Sequence, residues 1–130
     1  MASLDRLFSP IKIGSMEVRN RLVMSPMTTG YANQDETPSQ RLIDYCEERA
    51  RGGVGLITVE VCTVDRPHRY QVRSLGLYDD KLIPAHRELT KAIHVHGARA
   101  VPQISHPGPE SLAPFFYKIP AVGPSPSSPR

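Results

Sequence analysis

Residues 54–64 read Val-Gly-Leu-Ile-Thr-Val-Glu-Val-Cys-Thr-Val, and few folds accept such a run. It is almost continuously apolar or β-branched, the composition of a parallel strand buried on both faces rather than of a strand with one wet side. The chain enters it from Gly52-Gly53, a pair that stops helices well. Before that pair, residues 37–51 carry Leu42, Ile43, Cys46 and Ala50 on one helical face, with Asp44, Glu47, Glu48 and Arg51 largely off it. A helix feeding directly into a two-sided strand is half of a βαβ unit, so the chain reads as an α/β protein.

The flanking sequence repeats this plan. Thr37 as N-cap, Pro38 at the first helical position and Gln40 as the capping-box partner predict the helix start. Upstream, Arg21-Leu22-Val23-Met24-Ser25 reads as a strand that Pro26 ends, because proline lacks the ladder donor and bars helix from the residue before it. Met27, Thr28 and Thr29 then sit just past the strand's carboxyl end, where α/β proteins place ligands. Residues 7–18, with Ile11, Ile13 and Val18 around Gly14-Ser15, predict a small hairpin.

Downstream, residues 65–80 form a long loop with Arg66, His68, Arg69 and Arg73, and its length points to a lid or functional edge. Pro84 opens a second helix to about residue 96, with Ile83, Leu89, Ala92 and Ile93 inward and Gly97 as its stop. Residues 98–105 give a third strand, in which Pro102 is awkward, and residues 107–130 read as a Pro-rich loop. Strands recurring every ~40 residues fit either a TIM barrel or a doubly wound sheet. No G-x-G-x-x-G follows a strand, which counts against a Rossmann unit. Three strands do not close a barrel that needs eight, and the chain stops at Arg130 in mid-loop. Residues 1–130 are therefore expected to be the N-terminal portion of a larger domain.

The net charge of +3 is mild and no basic stripe appears, so no nucleic-acid partner is expected. No apolar run approaches the ~20 residues of a membrane span. Cys46 and Cys62 fit neither a disulfide framework nor a metal spacing, which gives a reduced, cytoplasmic setting and no metal site. His86, His94 and His96 lie on the second helix, with His94 and His96 on different faces, and read as solvated or dipole-facing groups. Cys62 and Glu60 near a strand end are assigned neither nucleophile nor base. The three loop arginines read as solvated, with an acidic substrate such as a CoA phosphate as the alternative.

Several runs resemble the Old Yellow Enzyme family in order and spacing. They are Leu7-Phe8-Ser9-Pro10-Ile11-Lys12-Ile13-Gly14, Val18-Arg19-Asn20-Arg21-Leu22-Val23-Met24-Ser25-Pro26-Met27-Thr28, Gly53-Val54-Gly55-Leu56-Ile57-Thr58-Val59-Glu60 and Gln103-Ile104-Ser105-His106-Pro107-Gly108. Met27-Thr28-Thr29-Gly30 and Gly123-Pro124-Ser125-Pro126 lean toward its 2,4-dienoyl-CoA and 2-enoate reductase branch.

The resemblance implies an FMN-binding (β/α)8 TIM barrel, of which this chain holds the hairpin and the first three βα units. NADH or NADPH reduces the FMN, which passes hydride to an activated alkene such as an enone or enoyl thioester. By the same resemblance Ser25, Pro26 and Met27 lie against the flavin ring, and Thr28 acts at its O4 and N5 edge. Val61 faces the ring through its backbone, Gln103 binds the pyrimidine edge, and His106 belongs either to the substrate pocket or to loop structure.

Two departures stand out. His106-Pro107-Gly108-Pro109 lacks the arginine of the family's His-x-Gly-Arg, and Val61 is larger than the usual Ala or Gly. The His/Asn or His/His pair that binds the substrate carbonyl, the tyrosine acid, the flavin-facing arginine and the phosphate site fall beyond residue 130 in the family. So would any iron–sulfur cluster. The implied partners are the remaining barrel segment, in cis or in trans, and a second copy of the protein.

Overall fold

The computed structural model describes residues 4–125. A one-turn helix α1 (Asp5–Phe8) precedes the hairpin β1 (Ile11–Ile13) and β2 (Met16–Val18), which pairs Ile11 with Val18 and Ile13 with Met16. Then follow β3 (Val23–Met24), α2 (Gln40–Arg51), β4 (Leu56–Thr63), β5 (Leu75–Gly76), α3 (Ile83–His94), β6 (Arg99–Ser105) and α4 (Ala113–Tyr117). All pairs in the main sheet are parallel, and β4 is its centre. One edge of β4 is lined by β6 from Arg99 to Ser105. The other is shared by β3, beside Leu56 and Ile57, and by β5, beside Cys62 and Thr63.

The helices cover one face of this sheet. Leu42, Cys46 and Ala50 of α2 recur every fourth residue, as do Leu89 and Ile93 of α3, so each helix presents one apolar stripe. These stripes meet Ile57, Val59 and Cys62 of β4 in a single core, with Ala32, Leu75 and Ala98 at its margins.

One cation ties the hairpin to this layer. The Arg19 guanidinium donates to the carbonyls of Ala50 (2.7 Å), Val54 (3.1 Å) and His96 (2.5 Å), the first in the last turn of α2 and the last just past the end of α3, where a cation is favoured. Asn20 beside it donates to the Gly53 carbonyl at 2.8 Å and accepts from the Leu22 amide at 3.1 Å. Gly55 is required at this join, since a Cβ there would lie 2.4 Å from Asn20 Oδ1.

Several local expectations are corrected. α2 starts at Gln40 with Ser39 as its cap, the Ser39 hydroxyl accepting from the Leu42 amide at 3.2 Å. Thr37 is already engaged: its hydroxyl donates to Asp35 Oδ1 at 2.6 Å and accepts from Asn33 at 3.0 Å. The strand at 21–25 shrinks to Val23–Met24, because Arg21 and Leu22 are held instead by Leu7 and Asn20.

Loop 65–80 contains a two-residue strand and ends in the 3-10 turn Asp80–Leu82. Leu82 of that turn takes the buried place expected of Ile83, which is exposed. Within the Pro-rich stretch, a 3-10 turn (Gly108–Glu110) and α4 appear. Proline occupies the first turn of each, where its missing N–H costs nothing.

Candidate functional site

The alternation of β4 breaks at one point. Ile57 and Val59 face the helices, yet so does Cys62, three residues on. The register accounts for this: Val59 pairs with Pro102 and Val61 with Gln103, so Glu60 is the extra residue of a β-bulge. Pro102 has no N–H to give a ladder, and the bulge absorbs the mismatch. The awkward proline and the irregularity in β4 are thus one feature. Beyond it, Val61 and Gln103 stand side by side on the face away from the helices. Gln103 is exposed there and its amide bonds to no described residue.

The segment after β3 lies beside the same strand ends. Ser25, Met27 and Thr28 are exposed and Pro26 is half-buried. The Thr28 hydroxyl has no partner among the described residues. Its neighbour is anchored: Glu60 Oε2 accepts from the Thr29 amide at 2.5 Å and from the Thr29 hydroxyl at 3.0 Å. Glu60 is 2% exposed, and its Oε1 is buried without a partner among the described residues. Sequence reasoning noted Glu60 near a strand end and assigned it neither nucleophile nor base; its hold on Thr29 was not anticipated, although a charge inside an apolar two-sided strand was the signal available. Cys62 donates to the Glu60 carbonyl at 3.1 Å. Burial, and then the Glu60 charge, push its thiol up to about 12. Burial likewise pushes the Cys46 thiol up to about 11, with Glu60 adding to the effect and Arg49 opposing it. Neither thiol is a nucleophile under these conditions.

The loop after β4 is built around a buried carboxylate instead of being solvated throughout. Glu36 faces Arg69 at 2.9 Å and Arg66 at 3.6 Å, and it accepts from the Tyr78 hydroxyl. Burial, and then the bond to Glu36, push the Tyr78 hydroxyl up to about 12. Arg69 also donates to the Tyr117 hydroxyl of α4. Gln34, Arg69, Val72, Arg73, Phe116 and Tyr117 line an open cavity of about 480 Å³ at this end of the sheet.

His106 stands against His68, with stacked rings 5.4 Å apart. Its Nδ1 accepts from the Gly108 amide at 3.2 Å, which places the ring proton on Nε2, 3.9 Å from Asp65. His68 has an acceptor at each nitrogen: Asp65 Oδ2 at 2.7 Å from Nδ1 and the Pro120 carbonyl at 3.1 Å from Nε2. An imidazolium donates at both nitrogens, so this pair of acceptors favours the protonated ring. Its pKa is raised, first by the Pro120 carbonyl and further by Asp65, against the opposing effect of burial. Sequence spacing did not anticipate that Asp65, His68 and His106 bring three ligand-type atoms within 4.8 Å of one another. The donor pattern suits protons at those atoms rather than a metal.

Comparison with known proteins decides the family. Residues 6–129 match the model of the NADH:flavin oxidoreductase / NADH oxidase family. The chain belongs to this family. Its members are FMN- and NAD(P)H-dependent oxidoreductases, as the resemblance to Old Yellow Enzyme implied. An NADH oxidase of Thermoanaerobacter brockii is 45% identical over 97% of the chain, which spans 20% of that relative. Among solved structures, a 2-naphthoyl-CoA reductase in complex with 2-naphthoyl-CoA superposes with a TM-score of 0.82 at 29% identity, over 90% of this chain and 18% of that one. The old yellow enzyme of Trypanosoma cruzi superposes with a TM-score of 0.76 at 30% identity, over 85% and 29%. The chain thus spans about a fifth to a third of these relatives. Among the described residues, no helix is long and apolar enough to cross a membrane.

Proposed function

We propose that residues 1–130 are the N-terminal portion of an FMN-binding TIM barrel that passes hydride from NADH or NADPH, through FMN, to an activated carbon–carbon double bond. One observation carries this reading: the β4 bulge sets Val61 beside Gln103 at the carboxyl ends of parallel strands, next to residues 25–29.

The donor set suits a flavin edge. An exposed amide at Gln103 can both donate and accept, as a pyrimidine edge requires, and a hydroxyl at Thr28 is free to donate. When bound, FMN supplies the centre that takes hydride from a nicotinamide and returns it to the β-carbon of an enone or enoyl thioester. In this assignment Gln103 orients the pyrimidine edge. Thr28 donates toward the flavin carbonyl that gains charge on reduction, and is the catalytic residue of this segment. Ser25, Pro26, Met27 and Val61 present backbone and apolar surface to the ring. His106, tied to Gly108 and stacked on His68, serves the wall of the site, with the substrate pocket as its second role.

The resemblance of Met27-Thr28-Thr29-Gly30 to 2,4-dienoyl-CoA and 2-enoate reductases favours an enoyl thioester, and similarity to a 2-naphthoyl-CoA reductase supports it. Any iron–sulfur cluster would take its ligands outside this chain. Buried, unpaired Cys46 and Cys62 fit a reducing cytoplasmic setting.

The alternative is a non-catalytic fragment or subunit that needs a partner chain to complete the barrel. The open edge of β6 supports it. The deciding experiment combines an intact-mass measurement on the purified protein with a flavin spectrum. Anaerobic bleaching by NADH or NADPH, and recovery on adding an enone or enoyl thioester, follow. A bleached flavin that recovers with the alkene is expected. A colourless protein of the mass of this chain alone would overturn the catalytic reading and favour the alternative.

A further inference from the structure

Glu60 is a carboxylate in the most buried strand of the sheet, and no cation among the described residues pairs with it. Burying such a group costs several kcal/mol unless its lone pairs are used. Oε2 takes both donors that Thr29 offers. The Thr29 hydroxyl, donating to Glu60, also accepts from the Tyr31 amide at 3.2 Å, which closes the turn behind it. Among the described residues, Thr29 is the only position from 25 to 30 whose side chain forms a hydrogen bond. Alternation from Ile57 and Val59 sets Glu60 on the side away from the helices, where Thr29 meets it, and the bulge keeps Val61 on that same side.

We infer that Glu60 is a positioning residue, which fixes the Met27–Thr28–Thr29 turn through its two bonds to Thr29 and so sets the direction of the Thr28 hydroxyl. The inference rests on the proposed flavin site only for what Thr28 does, not for what Glu60 holds.

The test is made in the full flavoprotein with Glu60→Ala, Glu60→Gln and Thr28→Val. In the FMN-free protein, amide exchange at Thr29 is read by mass spectrometry or NMR. A hydrogen bond to a charged group is worth about 1.5–3 kcal/mol, so Glu60→Ala should speed exchange about tenfold or more. Glu60→Gln keeps an accepting oxygen and should retain most of the protection. In the loaded protein, Thr28→Val should lower the flavin potential, and this shift should vanish in the Glu60→Ala background, where Thr28 is no longer held. The Glu60→Gln background should keep the shift, which separates positioning from loss of charge.

Unchanged Thr29 exchange in Glu60→Ala would overturn the inference, as would a Thr28→Val shift of the same size in that background. If Thr28→Val leaves the potential unmoved in the parent protein, the flavin role of Thr28 fails, while amide exchange still decides what Glu60 holds. Should Glu60→Ala not fold, Thr29→Val removes the hydroxyl bond from the other side with little change of shape. Faster exchange at residue 29 is then the expected result, and unchanged exchange the overturning one.

Discussion

β4 and β6 run side by side in parallel register, yet their surroundings differ. Every residue of β4 but Thr58 is buried, whereas only Ala100, Val101 and Ser105 of β6 are even half-covered. The pair Cys62 and Ile104 shows the contrast within one rung: Cys62 is 0% exposed and Ile104 68%. Cys62 lies in the core shared with α2 and α3, while Ile104 lies outside that core on a strand that pairs, among the described residues, with β4 alone. Apolar sequence therefore specifies a strand, but burial depends on which neighbours reach it. The two strands also divide the work. β4 supplies rigidity and the bulge, and β6 supplies an exposed polar group, Gln103, on the face where a ligand is proposed.

The largest effect that probes this contrast is on solubility. An exposed edge with Ile104 on it is a pairing template, so residues 1–130 expressed alone are expected to aggregate or remain molten. Ile104→Lys should raise the soluble fraction of that isolated chain. Sharp, dispersed amide NMR signals from the unmodified monomer would break the contrast at its root.

The second test goes to the covered side. Ile57→Ala removes a fully buried side chain of the helix-side core and should cost about 2–5 kcal/mol in the full protein. Denaturant unfolding with a loss below ~1 kcal/mol would mean that the helices pack less closely on β4 than the structure shows.

On the open side, if Gln103 binds the pyrimidine edge as proposed, Gln103→Leu leaves flavin polar atoms unpaired at a cost of about 1–3 kcal/mol. FMN retention should weaken by about tenfold or more with the fold intact, and an unchanged affinity of the deflavinated variant would remove Gln103 from the site. Thr28→Val should have a smaller effect. Only the difference between redox states counts, and at about 30 mV per 1.4 kcal/mol the drop in potential is tens of millivolts. Reduction by the nicotinamide should slow, while transfer to the alkene holds or quickens. A potential that stays put or rises would make Thr28 only a turn residue.

The smallest expected effect is that of pH on the segment after β6. His68 is held by Asp65 from its own loop and by the Pro120 carbonyl, with His106 stacked against it. Its folded pKa is raised, so the stability it lends is full below the unfolded value of about 6.5 and is lost as pH rises through the folded value. An NMR titration should place the His68 midpoint above about 6.5, and amide exchange in residues 107–125 should quicken at higher pH. A midpoint at or below 6.5 would show that the two acceptors do not hold the proton.

Much of the fold was legible from local pattern. The continuous apolar run at 54–64, the glycine stops at Gly52-Gly53 and Gly97, and the fourfold spacing of Leu42, Cys46 and Ala50 each encode their element through nearest neighbours. The family motifs likewise marked Ser25, Pro26, Met27, Thr28, Val61 and Gln103; of these the structure pairs Val61 with Gln103, and Thr29, next after Thr28, bonds Glu60 beside Val61. What the sequence could not decide are the choices in which several residues compete for one partner. Thr37 and Ser39 are both good caps, and the Asn33–Asp35 turn claims Thr37. Pro102 reads as an anomaly until β4 bulges opposite it. His68 and His106 lie far apart along the chain, and only the return of the segment after β6 stacks them. Glu60 looks misplaced in an apolar strand until the segment after β3 brings both donors of Thr29 to it. Side-chain spacing is a local property that the sequence carries by itself, whereas which acceptor meets which donor depends on long-range register, and that only the tertiary structure sets.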